Sequence, residues 1–476
     1  MTSPSVANEN KPIDAKAAFR LYKGGILGLA GAIAFFIWRN GGDLSLSFLL
    51  GLVVLYLAAL PALQWAKHGR DWFPAFEITM LTCMAFYAIP LLGGHRELEA
   101  YDSDAITEAA GLIVLYLAAA NLGFNASRTA PRAPAWATSS LLPDKMMRYL
   151  PLGMVFNSVY LYLEIFTSVI PYNIAGSFRA LFFGVGIICT FVLSREWGMG
   201  RIDARTRGAF VFNLAIQLIF LIAQLYLVRA ISLLAIGLIA YSSARRRIPW
   251  LVLATTLPVL ALLHAGKPDM RRIYWEEKNP MPTVTQLPAF FAEWIGFGLG
   301  AKQATENMED NRSSIFERAS LIQMLCLSVD QVPEVRPYLH GQSYTDIPAL
   351  VIPRFIWPDK PSSLMANIRL GIHFGLVDPD SPFKVSIAFG MISEAYLNFG
   401  FIGPPLLGLI TGLFFKRAAL LSQNVPQLSA LGLLMILLTA WSFQAEFVLA
   451  TWLSSIFQAA VVCIGLPLAY RKFTTG

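Results

Sequence analysis

The chain has 476 residues, of which 56% are hydrophobic and only 14% charged, and its mean hydropathy of +0.55 lies outside the composition of soluble globular domains. A net charge of +7 would suggest a nucleic-acid partner in a soluble protein; in a chain this apolar, basic residues retained on the cytoplasmic side of each span account for it, and nucleic acid is excluded. Cys83, Cys189 and Cys463 fall inside apolar runs and Cys326 stands alone in the longest polar interval, which leaves no disulfide within that interval and no metal-ligand spacing, so no metal and no cofactor is expected.

The expected fold is an all-α polytopic membrane protein with about twelve transmembrane helices. Apolar segments run over 24–38, 44–63, 73–92, 105–124, 149–170, 175–193, 208–228, 230–243, 249–264, 394–415, 427–443 and 447–469. The first follows Lys11, Lys16, Arg20 and Lys23 as a signal peptide would, but Trp38, Arg39 and Asn40 offer no cleavage site, so it reads as a retained span. Pro404 and Pro405 should kink the tenth span, and Gly408 and Gly412 should let a neighbouring helix come close. Placing the N-terminus inside puts Lys67, Arg70, Arg128, Arg132, Lys145, Arg148, Arg195, Arg201, Arg205, Arg207, Arg245, Arg246, Arg247, Lys416, Arg417, Arg471 and Lys472 on the inner side. The short outer connections then hold Arg39, Arg96, Arg179 and Arg229. This asymmetry orients both termini to the cytoplasm and the long interval between the ninth and tenth spans to the outside. The chain therefore divides into an N-terminal bundle over 1–264, a loop over 265–393 and C-terminal spans over 394–476.

The long loop is not uniformly polar. Residues 283–299 are mostly apolar around Trp294 and should lie at the bilayer surface or pack under the loop. Over 320–332 the spacing places Leu321, Leu325, Ser328 and Val332 on one face of an amphipathic helix. The stretch 344–357 is apolar but broken by prolines and reads as a dip at the membrane surface.

Charges at membrane depth need a partner or a purpose. Glu164, Arg179, Arg229, Glu394 and Glu446 all fall on the outer side under this topology, which suggests a polar cavity open to the outside. The plainer reading makes the arginines snorkel to headgroups or pair with Glu164, Glu394 or Glu446 as struts. An arginine fork suits a pyrophosphate at a membrane surface. Arg271 and Arg272, beside Glu276 and Glu277, read as weak surface pairs, whereas Arg354, set between Pro353 and an aromatic run, reads as functional. His340 and His373 are candidate general bases, with a structural histidine the commoner case. Glu394 is the better positioned carboxylate: a helix N-terminus would favour its charge and Tyr396 and Asn398 would supply hydrogen bonds nearby. Asp359 and Lys360, beside prolines, fix a turn by pairing in the plainer reading.

Residues 341–362 read GQSYTDIPALVIPRFIWPDKPS, and residues 393–413 read SEAYLNFGFIGPPLLGLITGL. Their Gly-x-Ser-Tyr, Pro-Arg-Phe-x-Trp-Pro-Asp-Lys-Pro and Ser-Glu-x-Tyr-x-Asn-Phe-Gly strings resemble the oligosaccharide repeat-unit polymerases, the Wzy-type O-antigen and exopolysaccharide polymerases. The match in words covers the last third of the chain; the Arg-x10-Gly pattern of some members is absent around the loop arginines. The resemblance implies a GT-C-like fold in the bacterial inner membrane. It also implies transfer of a glycan from an undecaprenyl-pyrophosphate carrier, at the periplasmic face, to a carrier-linked repeat unit, without metal or nucleotide. Expected partners are the lipid-linked oligosaccharide, the bilayer, a chain-length regulator and a flippase. Expected catalytic residues are Glu394, Arg354 and His340; expected pyrophosphate contacts are Arg229, Arg312, Arg318 and Arg179; expected substrate contacts are Tyr344, Lys360, Tyr396 and Asn398. An O-antigen ligase or another GT-C glycosyltransferase is the alternative, and a polysaccharide-intermediate transporter is the alternative from another class.

Overall fold

A computed structural model describes residues 15–42, 44–68, 73–126, 133–141, 147, 149–167, 169–170, 172–225, 227–245, 249–276, 279–300, 320–352, 357, 359–361, 365–379, 387–423 and 425–475. Among the described residues the only strand-like pairing is an isolated bridge between Ser140 and Ser429; the rest of the regular structure is helical. Among the described residues ten helices are long and apolar enough to cross a membrane, and two shorter apolar helices, Leu150–Phe166 and Ala430–Trp441, occupy the fifth and eleventh expected segments. Every apolar segment read from the sequence thus holds a helix. Side chains such as Leu122, Phe212 and Leu251 lie exposed on helix flanks, as contact with hydrocarbon requires.

The chain forms two compact units. One comprises 1–140 and 319–457, the other 141–318 and 458–476. Residues 319–393 of the expected loop fall in the first unit and 265–318 in the second.

The first unit holds α1 (Ala15–Arg39), α2 (Leu46–His68), α3 (Ala75–Gly93) and α4 (Ser103–Ala126). Gly408 and Gly412 of a later helix lie against the Tyr116 and Ala120 carbonyls of α4, while Gly123 of α4 lies against the Leu409 carbonyl, so the two helices run parallel with their backbones in contact. Any Cβ at these glycines would collide with main chain that cannot swing aside, and the close approach expected at Gly408 and Gly412 is met. Phe76 of α3 stacks on Phe124 at 4.1 Å between ring centroids, which closes one end of this seam.

The tenth expected segment is two helices. Gly390–Phe399 is followed by a 3-10 turn, Gly400–Ile402, and then Gly403–Leu421. Gly400 takes φ 59°, open to glycine, and the chain turns back so that Gly403 packs against the Ala395–Tyr396 peptide. Pro404 and Pro405 lie in the first turn of the second helix, where a missing N–H is no loss, so they start a helix instead of kinking one.

From the loop, Ile322–Gln331 forms the expected amphipathic helix. Leu321, Leu325, Ser328 and Val332 are all buried, and Leu321 N–H donates to Phe86 O at 3.1 Å. Of the stretch 344–357, Ile347–Val351 is a single helical turn, and residues 353–356 lie outside the described residues. Met365–His373 follows, anchored where the Arg336 guanidinium donates to His373 O and to Gln331 Oε1.

The second unit holds α5 (Leu150–Phe166), α6 (Tyr172–Gly198), α7 (Ala204–Ala223), α8 (Leu227–Arg245) and α9 (Trp250–Arg271). Small residues again set a parallel seam, with Gly198 against the Tyr241 carbonyl and Gly237 against Ser194 and Thr190. Between α5 and α7 the contact is polar instead. Asn157 Nδ2 donates to Gln217 Oε1 (2.9 Å), Ser158 Oγ to Asn213 Oδ1 (3.1 Å), and Gln217 Nε2 to Met154 O (2.9 Å). All four side chains are buried.

The apolar stretch 283–299 becomes the helix α10 (Leu287–Gly298), which packs on α9 through Gly266 and Gly298. Trp294 is fully buried there and its indole N–H donates to Leu263 O at 2.6 Å. Leu287, Phe290 and Trp294 join Leu225, Leu227, Leu263 and Met270 in one core cluster.

Candidate functional site

The later helices of the first unit are α11 (Ile322–Gln331), α12 (Ile347–Val351), α13 (Met365–His373), α14 (Gly390–Phe399), α15 (Gly403–Leu421), α16 (Ala430–Trp441) and α17 (Leu449–Lys472), whose last part belongs to the second unit. Helix α14 carries an unbroken buried run, Ile392 to Asn398, and so is surrounded on all sides. Glu394 has no exposed surface.

Its carboxyl is not held as the sequence suggested. Glu394 is the fifth residue of α14, past the reach of that helix's own N-terminus. The backbone N–H of Leu449, which opens α17, donates instead to Glu394 Oε2 at 2.7 Å. Glu394 therefore caps a different helix from the side, and the positive end of α17 faces its carboxyl. The second oxygen, Oε1, is buried and makes no hydrogen bond. The Ser343 hydroxyl lies beside the carboxyl.

Tyr396 and Asn398 do not reach the carboxyl. The Tyr396 hydroxyl donates to Val332 O at 2.8 Å. Asn398 ties a turn of the loop to α14: its Oδ1 accepts from Gly341 N–H (2.9 Å), and its Nδ2 donates to Ser343 Oγ (2.8 Å) and to Glu394 O (2.7 Å). Leu339 N–H adds a bond to Leu397 O at 2.8 Å. Tyr344 stacks on Phe399 with ring centroids 5.9 Å apart. Burial, and then the charge of Glu394, push the Tyr344 phenol well above its ordinary range, so it stays a hydroxyl.

His340 is exposed, at φ 46°, with its ring 6.3 Å from that of Tyr338. Lys360 is buried, and its ammonium donates to Leu350 O (3.0 Å) and Ile352 O (2.5 Å), closing the C-terminal end of α12. That is a helix-end role at the turn, and not the pairing with Asp359 expected in the plainer reading. His373 is half-buried; its imidazole is held below the ordinary histidine range by burial and by the Arg336 guanidinium.

In the second unit, Arg179 Nε lies 2.5 Å from Glu164 Oε1, an ion pair in which the arginine is about half exposed and the glutamate buried. Arg229 begins α8 beside the tight turn after α7, donating to Gln224 Oε1 at 3.4 Å. Tyr160, one helical turn before Glu164, has Glu164, Arg179 and Arg229 all in its electrostatic surroundings. Three of the five outer-side charges read from the sequence thus act electrostatically on one phenol. Arg271 is not a surface pair: it donates to Leu225 O at 3.1 Å and lies over the Trp275 ring at 4.3 Å.

Arg312, Arg318 and Arg354 lie outside the described residues. Among the described residues no group of three His, Cys, Asp or Glu side chains could hold a metal ion. Sequence reasoning missed Ser343, Tyr160 and the amides of α5 and α7. Ser343 was within reach, as the serine of Gly-x-Ser-Tyr; the amide pairs are long-range and carry no local signal.

No curated protein and no solved structure matches the chain. A family model matches residues 163–440, more than half of the chain, an interval that contains Glu164, Arg179, Arg229, the loop and Glu394. The chain belongs to that family, DUF8712, described as a domain of unknown function.

Proposed function

We propose that this multi-pass membrane protein is a polysaccharide polymerase of the bacterial inner membrane. It has both termini in the cytoplasm and a GT-C-like arrangement, and it transfers a glycan from undecaprenyl pyrophosphate to a carrier-linked repeat unit at the periplasmic face. The observation that carries this reading is that Arg179, paired with Glu164 in the N-terminal part of α6, and Arg229, in the first turn of α8, both act electrostatically on Tyr160. Cleavage of an anomeric carbon–pyrophosphate bond develops negative charge on the leaving group, and preorganised guanidinium groups stabilise it. Arg179 is exposed enough to exchange Glu164 for a phosphate oxygen.

The test is a ladder of longer glycans made by purified protein from lipid-pyrophosphate repeat units. Arg179→Ala and Arg229→Ala should each cut ladder formation at least about tenfold, the loss of one charge-assisted contact of roughly 1.5–3 kcal/mol. Attachment of finished polymer to another lipid, with no ladder, would move the protein to the O-antigen ligases. One observation favours a second reading from another class: the buried amide network of α5 and α7 supplies polar groups inside a bundle, as a transporter of polysaccharide intermediates requires. Movement of a lipid-linked glycan across proteoliposomes without any change in its length would establish that reading.

A further inference from the structure

We propose that Glu394 Oε1 and the Asn398 side-chain amide form a subsite for an alcohol, a hydroxyl of the acceptor glycan, and that Ser343 occupies it as an internal stand-in. The inference rests on the polymerase reading for the identity of the glycan, but not for the chemistry of the subsite.

The orientation of Asn398 is fixed by its partners. Gly341 N–H points at Oδ1, and flipping the amide would set a donor against that donor. Its two amide hydrogens then go to Ser343 Oγ and Glu394 O. The Ser343 oxygen receives one hydrogen bond from Asn398, and the Glu394 carboxyl lies beside it. A donor on one side and an acceptor on the other match an alcohol, which takes one hydrogen bond and gives one. An ammonium ion has no lone pair for the amide, and a carboxylate has no hydrogen for Oε1.

The occupant's fit is incomplete. Glu394 Oε1 is fully buried and still without a hydrogen bond, a cost of a few kcal/mol that a better-placed hydroxyl would remove. Ser343 is also carried on a segment with an alternative. It sits on the 3-10 turn Gln342–Tyr344, entered through two consecutive left-handed residues, His340 at φ 46° and Gly341 at φ 88°. The histidine has a Cβ and pays for that conformation with strain. The turn is kept in place by the Asn398 bonds, the Leu339–Leu397 bond and the Tyr344–Phe399 stack. Withdrawal of the turn takes Ser343 out and admits a glycan hydroxyl to the same two groups.

Two measurements test this on the full-length protein. In the polymerisation assay, Ser343→Ala removes the internal competitor, so the KM for the acceptor should fall about fivefold while the KM for the donor and kcat change little. Asn398→Asp, which cannot donate, should raise the acceptor KM by about tenfold or more. A Ser343→Ala variant whose acceptor KM rises or stays unchanged overturns the proposal.

The second measurement does not need turnover. The four cysteines of the chain are buried, so a Ser343→Cys variant can be followed with a membrane-impermeant maleimide, using methyl glycosides as probe and glycerol as a small-alcohol control. Labelling should be slow without sugar and at least about fivefold faster with a methyl glycoside. Faster labelling in a protein that makes no ladder supports the subsite while the polymerase reading fails; labelling indifferent to every glycoside overturns the subsite, whatever the ladder shows.

Discussion

The seam between α4 and α15 and the seam between α5 and α7 solve one problem by opposite means. Inside a membrane the lipid is as apolar as the side chains, so helices need close packing or hydrogen bonds to associate. In the first seam Gly123, Gly408 and Gly412 bring backbone against backbone. In the second, Asn157, Ser158, Asn213 and Gln217 exchange hydrogen bonds through their side chains. The difference teaches that packing by small residues is intolerant of any added atom, whereas an amide seam degrades by steps.

The largest expected effect comes from the first seam. Gly412→Leu places a side chain where the Ala120 carbonyl and Phe124 N–H already stand, and must push α4 and α15 apart. Overpacking of this kind costs about 1–3 kcal/mol where neighbours can yield and more where the neighbour is backbone. The purified variant should aggregate, or lose its folded elution profile in detergent. A Gly412→Leu protein with unchanged thermal stability would break the contrast outright.

A smaller effect is expected in the second seam. A double-mutant cycle between Asn157→Ala and Gln217→Ala should give a coupling of about 0.6 kcal/mol and no more than about 1.7. Coupling near zero would mean that the amides find other partners once one is removed. Coupling well above this range would make the polar seam as unforgiving as the glycine seam.

The pair Arg179–Glu164, with its arginine half in solvent, should give the least stability. Glu164→Gln is expected to change the unfolding midpoint by the equivalent of less than about 1 kcal/mol, because Arg179 is half in solvent. The same variant sharpens the contrast in function: with no carboxylate beside it, Arg179 should bind a pyrophosphate lipid more tightly.

What was legible in the sequence divides along the same line. Gly408 and Gly412 announced a close approach because small residues four apart on one helix are a local pattern. The amphipathic face of Leu321, Leu325, Ser328 and Val332 was legible for the same reason. Glu394 was legible as a residue but not as an arrangement. Its donor is the N–H of Leu449, 55 positions away, and no periodicity in α14 points there. Asn157 and Gln217, 60 positions apart, were invisible on the same grounds. Pro404 and Pro405 misled because a proline pair reads alike at a kink and at a helix start; only the turn-back at Gly400 tells them apart.

That turn-back bears on how the chain is made. Residues Gly390–Leu421 form one long hydrophobic stretch, yet α14 supplies only ten of them, about 15 Å of helix, too short to cross alone. The ribosome delivers Glu394 well before Leu449, so during synthesis its carboxyl waits in water or at a headgroup for a partner still to come. The bond from Leu449 N–H to the Glu394 carboxyl can form only after the start of the last helix has been made, so the capping of that acid comes late in synthesis.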